Sequence, residues 1–264
     1  MDRFLQSIIR QAGAMALSFY HRGVTSSEKD NRGDLLTEAD VEVSAFLVEA
    51  IHERYPQHHI ASEELDEDIN PGAPIKWVID PIDGTRNFAN AIPVWCTLIG
   101  VIRDGDLYLG AIYDAVHDTL FFAERGKGAY KNAQRIYVNN TDTLEHAYGW
   151  FSRAGEQGVY GRYIPEYRHA FERLIHDTTV WIHFFGCVLP LGYLASGAID
   201  FCAFNHGLDH DLVGPILICQ EAGAVVTNHE GKPWQPGRQD VVIANPGLHP
   251  KLLALFKDED TRLR

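Results

Sequence analysis

Apolar positions at helical spacing open the chain. Leu5, Ile8, Ile9, Ala12, Ala16 and Phe19 recur every three or four residues and predict an amphipathic helix over 2–22. A second helix is predicted over 36–55, with Thr37 near its start and Val41, Ala45, Val48 and Ile51 on one face. Extended runs follow at His59–Ser62 and Lys76–Asp80. From Trp95 to Lys131 the runs WCTLIGVI, LYLGAIYD, TLFFAER and AYK alternate with the turn segments RDGD, AVHD and GKG, the pattern of successive hairpins. Residues 140–165 are polar, glycine-rich and irregular, which predicts a seam between subdomains 1–145 and 146–264. Helix and strand signals alternate beyond it: helices near 166–176, 188–196, 211–222 and 248–257, and strands near 178–185, 198–204, 224–228 and 240–245. Such alternation predicts an α/β layer with some parallel pairing. Neither an internal repeat nor a low-complexity segment interrupts it.

Composition narrows the picture. Of 264 residues, 45% are hydrophobic and 11% aromatic, enough for a packed core and too much for intrinsic disorder. Lys plus Arg number 23 against 36 Asp plus Glu, a net charge of −13 that disfavours nucleic acid as a partner. An anionic substrate stays compatible with this charge, because bound metal ions invert the local field of a cleft. No run approaches the ~18 apolar residues of a membrane span. Asp2, Arg3 and Arg10 interrupt any apolar leader segment, so a cytoplasmic location is expected and the Asn139-Asn140-Thr141 sequon carries little weight. Cys96, Cys187, Cys202 and Cys219 form no C-x-x-C pair and read as buried free thiols.

The chemistry concentrates at Trp77-Val-Ile-Asp80-Pro-Ile-Asp83-Gly-Thr85-Arg-Asn-Phe88. An apolar strand runs into an acid, then Pro, a second acid, Gly and Thr. Two carboxylates in a tight Pro/Gly turn can converge on one point, and hard divalent cations take such oxygen ligands. Gly84 and Thr85 would open a helix whose N–H groups meet an anion beside the metals. Ser62-Glu63-Glu64 ends the preceding strand, and Asp211 opens a helix where an ordinary N-cap would also be acidic. Each of these is weak alone; their combination is not.

With Asp34-Leu-Leu-Thr-Glu-Ala-Asp40, Ser62-Glu63-Glu64, Asp80–Thr85 and His210-Asp211…Glu221-Ala-Gly223 in this order, the chain resembles the inositol monophosphatase family. The resemblance implies a layered αβαβα sandwich, usually dimeric, binding Mg²⁺ (with Mn²⁺ as a substitute) and inhibited by Li⁺. It implies that Glu63, Asp80 and the Ile82 carbonyl hold one metal, and that Asp80, Asp83 and Asp211 hold a second. A third metal would sit near Glu63, with Asp40 acting through water. Thr85, oriented by Asp40, would position the attacking water, and Gly84 and Thr85 would receive the phosphate close to Asp83. Lys29 matches a family lysine that approaches the site from a loop. The expected reaction is direct hydrolysis of a small phosphate monoester, because paired metals and positioned donors suffice and no nucleophilic Ser or Cys is needed.

Departures from the family pattern bear on the substrate. His210 stands where Trp is usual, and Leu212-Val-Gly-Pro215 replaces a run of small residues. Phe204-Asn-His-Gly207 lacks the acid that contacts inositol hydroxyls in inositol-specific members, which leaves Asn205, His206 and Asp209 as candidates for the substrate side. Ile92–Gly100 together with Arg86 is similar to the histidinol-phosphate phosphatase branch, whereas Asn87 stands where a nucleotide-phosphatase branch usually has Glu. Rival readings are weaker. His206 and His210 are four apart, as in a helical zinc pair, but Gly207 and the neighbouring acids favour a loop. Gly126-Lys-Gly128 is explained by a hairpin turn. A catalytically silent interaction protein on the same fold is the alternative of another class.

Overall fold

The computed structural model describes residues 1–23, 26–28, 35–152 and 163–257. Helix α1 (Asp2–Arg22) is followed by a small hairpin of β1 (Ser26–Glu28) and β2 (Leu35–Thr37), then helix α2 (Glu38–Arg54). A seven-stranded sheet comes next, from β3 (His59–Ser62), β4 (Ile75–Asp83), β5 (Cys96–Arg103), β6 (Asp106–Asp114), β7 (Thr119–Glu124), β8 (Gly128–Lys131) and β9 (Gln134–Ile136), with the short helix α3 (Thr85–Ala89) after β4. Its strands lie in chain order; β3 and β4 are parallel and the rest antiparallel.

The remainder comprises β10 (Tyr148–Phe151), α4 (Ile164–Asp177), β11 (Trp181–His183), α5 (Pro190–Ala195), β12 (Phe201–Phe204), α6 (Asp209–Glu221), β13 (Val225–Thr227), β14 (Val241–Ala244) and α7 (His249–Leu255). Its strands form a second sheet in the order β11-β10-β12-β14-β13, parallel where β10 meets β11 and β12.

Alternation along the strands builds the layers. In β4 and β5, Trp77, Ile79 and Ile99 meet α1 and α2 through Leu5, Ile9, Leu47 and Ile51. Val78 and Leu98 face the other way, into a core shared with α5, α6 and the Trp150, Cys202 and Phe204 side of the second sheet. Phe151, Phe201 and Ala203 close the far face against α4 and α7. The order is therefore α, β, α, β, α, as the resemblance implies.

Helix α6 is central. Every residue from Leu212 to Cys219 is buried, as expected of a helix with a sheet on each side. Three glycines let it lie directly on strand backbone. Gly100 and Gly110 face one another across β5 and β6. A Cβ on Gly110 would come within 2.3 Å of the Gly214 carbonyl oxygen, and one on Gly214 within 2.7 Å of the Ile99 carbonyl oxygen. Gly214 thus supplies the small residue that Leu212-Val-Gly-Pro215 otherwise lacks.

Two expectations need correction. The buried face of α2 is Ala39, Asp40, Val43, Ser44, Leu47 and Ile51, whereas Val41 is 49% exposed and Ala45 is also exposed. Polar Asp40 and Ser44 occupy the inward face because it borders the acidic centre, and this disguised it as the outer one. Residues 148–151, expected to be irregular, are β10, a central strand whose Gly149 fits where a Cβ would be 2.4 Å from the Phe201 ring. All four cysteines are buried and free. Among the described residues no helix is long and apolar enough to cross a membrane.

Gly110→Ala should destabilise the fold by about 3 kcal/mol, because a helix backbone cannot yield as a side chain can. Chemical denaturation measures this, and a loss below about 0.5 kcal/mol, the range of an ordinary surface change, would show that α6 does not rest on this strand pair.

Candidate metal centre

The strand β4 brings its two acids to one side by a bulge. Residues three apart on a regular strand point to opposite faces. Here Asp80 pairs with Leu98 and Asp83 with Cys96, three steps against two, so one residue is looped out and both carboxylates face the same region. Pro81 tolerates the interruption because it has no N–H to lose, and its carbonyl accepts a hydrogen bond from Thr97 Oγ1 at 3.0 Å.

Neighbouring elements add the remaining carboxylates. Parallel pairing of Ser62 with Ile79 sets Glu63 beside Asp80, and Glu63 donates its N–H to the Ile79 carbonyl at 3.0 Å. The first turn of α6 delivers Asp211, whose Oδ2 accepts the Leu208 N–H at 2.6 Å. Oxygen atoms of Asp80, Asp83 and Asp211 lie within 4.8 Å of one another. A second group within the same limit consists of Glu63, Asp80 and His210. Asp80 belongs to both.

The electrostatics demand a counter-charge. Asp80 is 2% exposed and Asp83 8%. Burial raises both well above the ordinary carboxyl range, and the surrounding acids add to it: Glu63, Asp83 and Asp211 act on Asp80, and Asp211 acts on Asp83. Asp83 is partly compensated by the Val188 N–H at 2.6 Å and the Cys96 thiol at 3.3 Å, both on its Oδ2. Burial also raises Asp211, opposed by His210 and the Leu208 N–H. A buried set of like charges with oxygen donors on a rigid strand and helix fits divalent cations.

Asp40 and Thr85 flank this set. Asp40 closes a capping box at the start of α2, accepting the Thr37 N–H at 2.8 Å and the Thr37 hydroxyl at 2.5 Å on Oδ2. Its carboxyl is raised to about 6, first by burial and further by Glu64 and Glu63. The Thr85 hydroxyl has two acceptors in reach, Asp40 Oδ1 at 3.2 Å and the Ile82 carbonyl at 3.0 Å, and donates to one at a time. Gly84 holds φ at +91°, and a Cβ there would be 2.9 Å from Cys187 Cβ, so only glycine fits the turn that opens α3.

The profile of the inositol monophosphatase family matches residues 1–261. The chain belongs to that family. The inositol-1-monophosphatase of Bacillus subtilis (strain 168) is 29% identical over 255 residues, covering 94% of this chain and 93% of that protein. Nus factor SuhB of Escherichia coli (strain K12) is also 29% identical, over 253 residues, covering 95% and 93%. The crystal structure of extragenic suppressor protein SuhB from Bartonella henselae superposes with a TM-score of 0.88 at 25% identity, over 97% of this chain and 98% of that one. Family membership supports a phosphatase-type function, and divalent metal ions are the family's usual cofactors.

Of the expected residues, Asp40, Glu63, Asp80, Ile82, Asp83, Gly84, Thr85 and Asp211 lie in this one region. The substrate-side candidates do not stay together. His206 lines a cavity of about 380 Å³ beside Asp83 and Asp211. Asn205 is fully buried and is not part of that lining. Asp209 turns to a hollow on the Glu63 side, and its Oδ1 accepts the Gly237 N–H at 2.7 Å. His206 and His210 diverge likewise: the former bonds Ser152 Oγ at 3.1 Å while the latter joins Glu63 and Asp80, so no zinc pair forms. Lys29 lies outside the described residues.

Sequence reasoning missed the residues that hold this frame. Val188 acts through its backbone, which no side-chain pattern announces. Asn87 donates to the carbonyls of Val94 and Phe185, both at 2.7 Å, tying the 92–95 and 184–188 loops together. The S/T-x-x-acid spacing of Thr37 and Asp40 was a legible signal for the capping box.

Raised carboxyls make the folded protein hold protons that the unfolded chain releases, so stability falls as pH rises. The metal-free protein should therefore lose Tm from about pH 4 upward through the Asp40 value of about 6 and beyond. Added Mg²⁺ should restore Tm most at the alkaline end, and Asp80→Asn should flatten the metal-free profile. Calorimetry at fixed ionic strength measures it; a Tm that rises over this range without metal would contradict the electrostatic account.

Proposed function

We propose that the chain is a Mg²⁺-dependent hydrolase of small phosphate monoesters. The observation that carries this reading is the convergence of Asp80, Asp83 and Asp211 within 4.8 Å, with Glu63 sharing Asp80. Glu63, Asp80 and the Ile82 carbonyl would hold one ion, and Asp80, Asp83 and Asp211 the other. Glu63 would also serve catalysis by sharing a third, weaker ion with water. Bound ions supply Lewis acidity that neutralises phosphate charge and acidifies water.

The protein groups position the reactants. While Thr85 donates its hydroxyl hydrogen bond to Asp40, its lone pairs are free to accept a hydrogen bond from water and so orient it. Gly84 and Thr85, at the start of α3, offer backbone N–H groups to phosphate oxygens. Asp83 is anchored by Val188 and Cys96, so its orientation costs nothing at the moment of reaction. Direct hydrolysis follows, without a phosphoenzyme.

The alcohol portion of the substrate would lie in the cavity by His206 and Ser152, whose volume suits a small molecule. Burial lowers the His206 imidazole and keeps it neutral at physiological pH, and it is already bonded to Ser152. Its second ring nitrogen can meet a hydroxyl of an inositol phosphate-like polyol; the second reading, histidinol phosphate, is supported by the exposed Phe184 at the cavity wall, on which a flat ring would stack. A homodimer, a cytoplasmic location and no nucleic-acid partner belong to the same reading; sedimentation velocity tests the dimer. The SuhB relatives, named as Nus factors, keep a non-catalytic interaction role as the competing class.

Asp83→Asn should reduce turnover to near background while circular dichroism shows an unchanged fold, since the amide oxygen still accepts from Val188. Chelation should abolish activity and Mg²⁺ restore it. A substrate panel should show a preference of about a hundredfold in kcat/KM, or about 2.7 kcal/mol, between inositol 1-phosphate and histidinol phosphate. Activity in metal-stripped protein, or in a folded Asp83→Asn variant, would refute the assignment; silence towards every monoester would favour the interaction role.

A further inference from the structure

His210 does not behave as a helix-surface histidine. It is the second residue of α6, and its side chain is only 20% exposed. One of its ring nitrogens lies within 4.8 Å of a Glu63 oxygen and of an Asp80 oxygen, which are themselves equally close to each other. Its one ion-pair contact among the described residues is with Asp211 Oδ1 at 3.8 Å, too long for a hydrogen bond. The other Asp211 oxygen is held by the Leu208 N–H, which also fixes the first turn of α6. Consecutive residues of one helix turn thus serve two adjoining groups of donors that share Asp80.

The donor chemistry of the two groups differs. Asp80, Asp83 and Asp211 present oxygen alone, the set that hard Mg²⁺ takes. Glu63, Asp80 and His210 add one imidazole nitrogen. Nitrogen donors raise affinity for borderline transition ions along the Irving–Williams order and do little for Mg²⁺, which keeps oxygen ligands and its waters. We propose that His210 is a metal ligand, so that the centre is asymmetric: a carboxylate–imidazole position selecting Mn²⁺, Co²⁺ or Zn²⁺ beside an all-carboxylate position selecting Mg²⁺. The inference rests on the metal-centre reading above and changes one part of it, the identity of the ion next to Glu63.

The test uses the full chain, stripped by chelation and then titrated calorimetrically with Co²⁺, Zn²⁺ and Mg²⁺, with Co²⁺ binding followed in its visible spectrum. His210→Phe keeps a flat ring without a donor, and His210→Gln offers an amide oxygen. Wild type should bind Co²⁺ and Zn²⁺ at least about tenfold more tightly than either variant, since losing even an outer partner of a ligand costs that much. Its Mg²⁺ affinity should stay within about twofold of theirs. In wild type, Zn²⁺ should also move the ring nitrogen resonances assigned to His210. Equal Co²⁺ and Zn²⁺ affinities in all three proteins, or unshifted His210 resonances, would overturn the assignment while leaving the Mg²⁺ centre standing. No binding of any divalent ion by wild type would overturn the metal centre as well.

Discussion

The seating of helix α6 on bare strand backbone is the constraint on which the rest depends. A helix buried between two sheets must approach one of them closely enough to bring its first turn to a strand end. Side chains on Gly100, Gly110 or Gly214 would hold it away by the width of a methyl group. With hydrogen there instead, the axis drops onto β5 and β6, and Asp211 arrives beside Asp80 and Asp83. The fold's central packing contact and its acidic centre are thus one arrangement.

That arrangement carries an electrostatic cost. Asp80, Asp83 and Asp211 are held together at the edge of a cavity, where burial raises the proton affinity of all three, Asp83 and Asp211 add to that of Asp80, and Asp211 adds to that of Asp83. Backbone N–H groups from Ile82, Val188 and Leu208 offset part of it, each directed at one carboxylate oxygen. The remaining lone pairs face one another. Such a centre is stabilised by protons, and divalent cations would stabilise it in the same way by supplying the missing positive charge. A divalent cation bound there would recover the stability lost by assembling the acids, a general way in which a site is built before its ligand arrives.

Much of this was legible from residue order. The helix over 2–22, the succession of hairpins and the alternation of helix and strand all appear in the fold. D-P-I-D-G-T marked both acids as convergent, but a tight Pro/Gly turn was expected after Asp80, whereas β4 runs on to Asp83 and a bulge brings the two together. Other features were hidden for identifiable reasons. The inward face of α2 was misread because Asp40 and Ser44 are polar, and polarity signals exposure unless a buried polar centre is known to lie there. Strand β10 was missed because four residues with a central glycine carry almost no periodicity. Asn205 and Asp209 looked equivalent to His206 by proximity in sequence, yet a strand end and a helix start turn the three in different directions.

Residue order by itself determined most element types and the α/β alternation, because periodicity and turn chemistry act over a few residues and are written locally; the layered class and the full carboxylate set were implied by the order of motifs that the chain shares with its family. The tertiary structure decided what converges. The bulge between Asp80 and Asp83, the parallel pairing that sets Glu63 beside Asp80 and the descent of α6 onto glycine each depend on a partner far away in sequence. The same holds for His210. As a letter it is one substitution in a motif, and only the packing of α6 against β4 brings its ring nitrogen to two carboxylates.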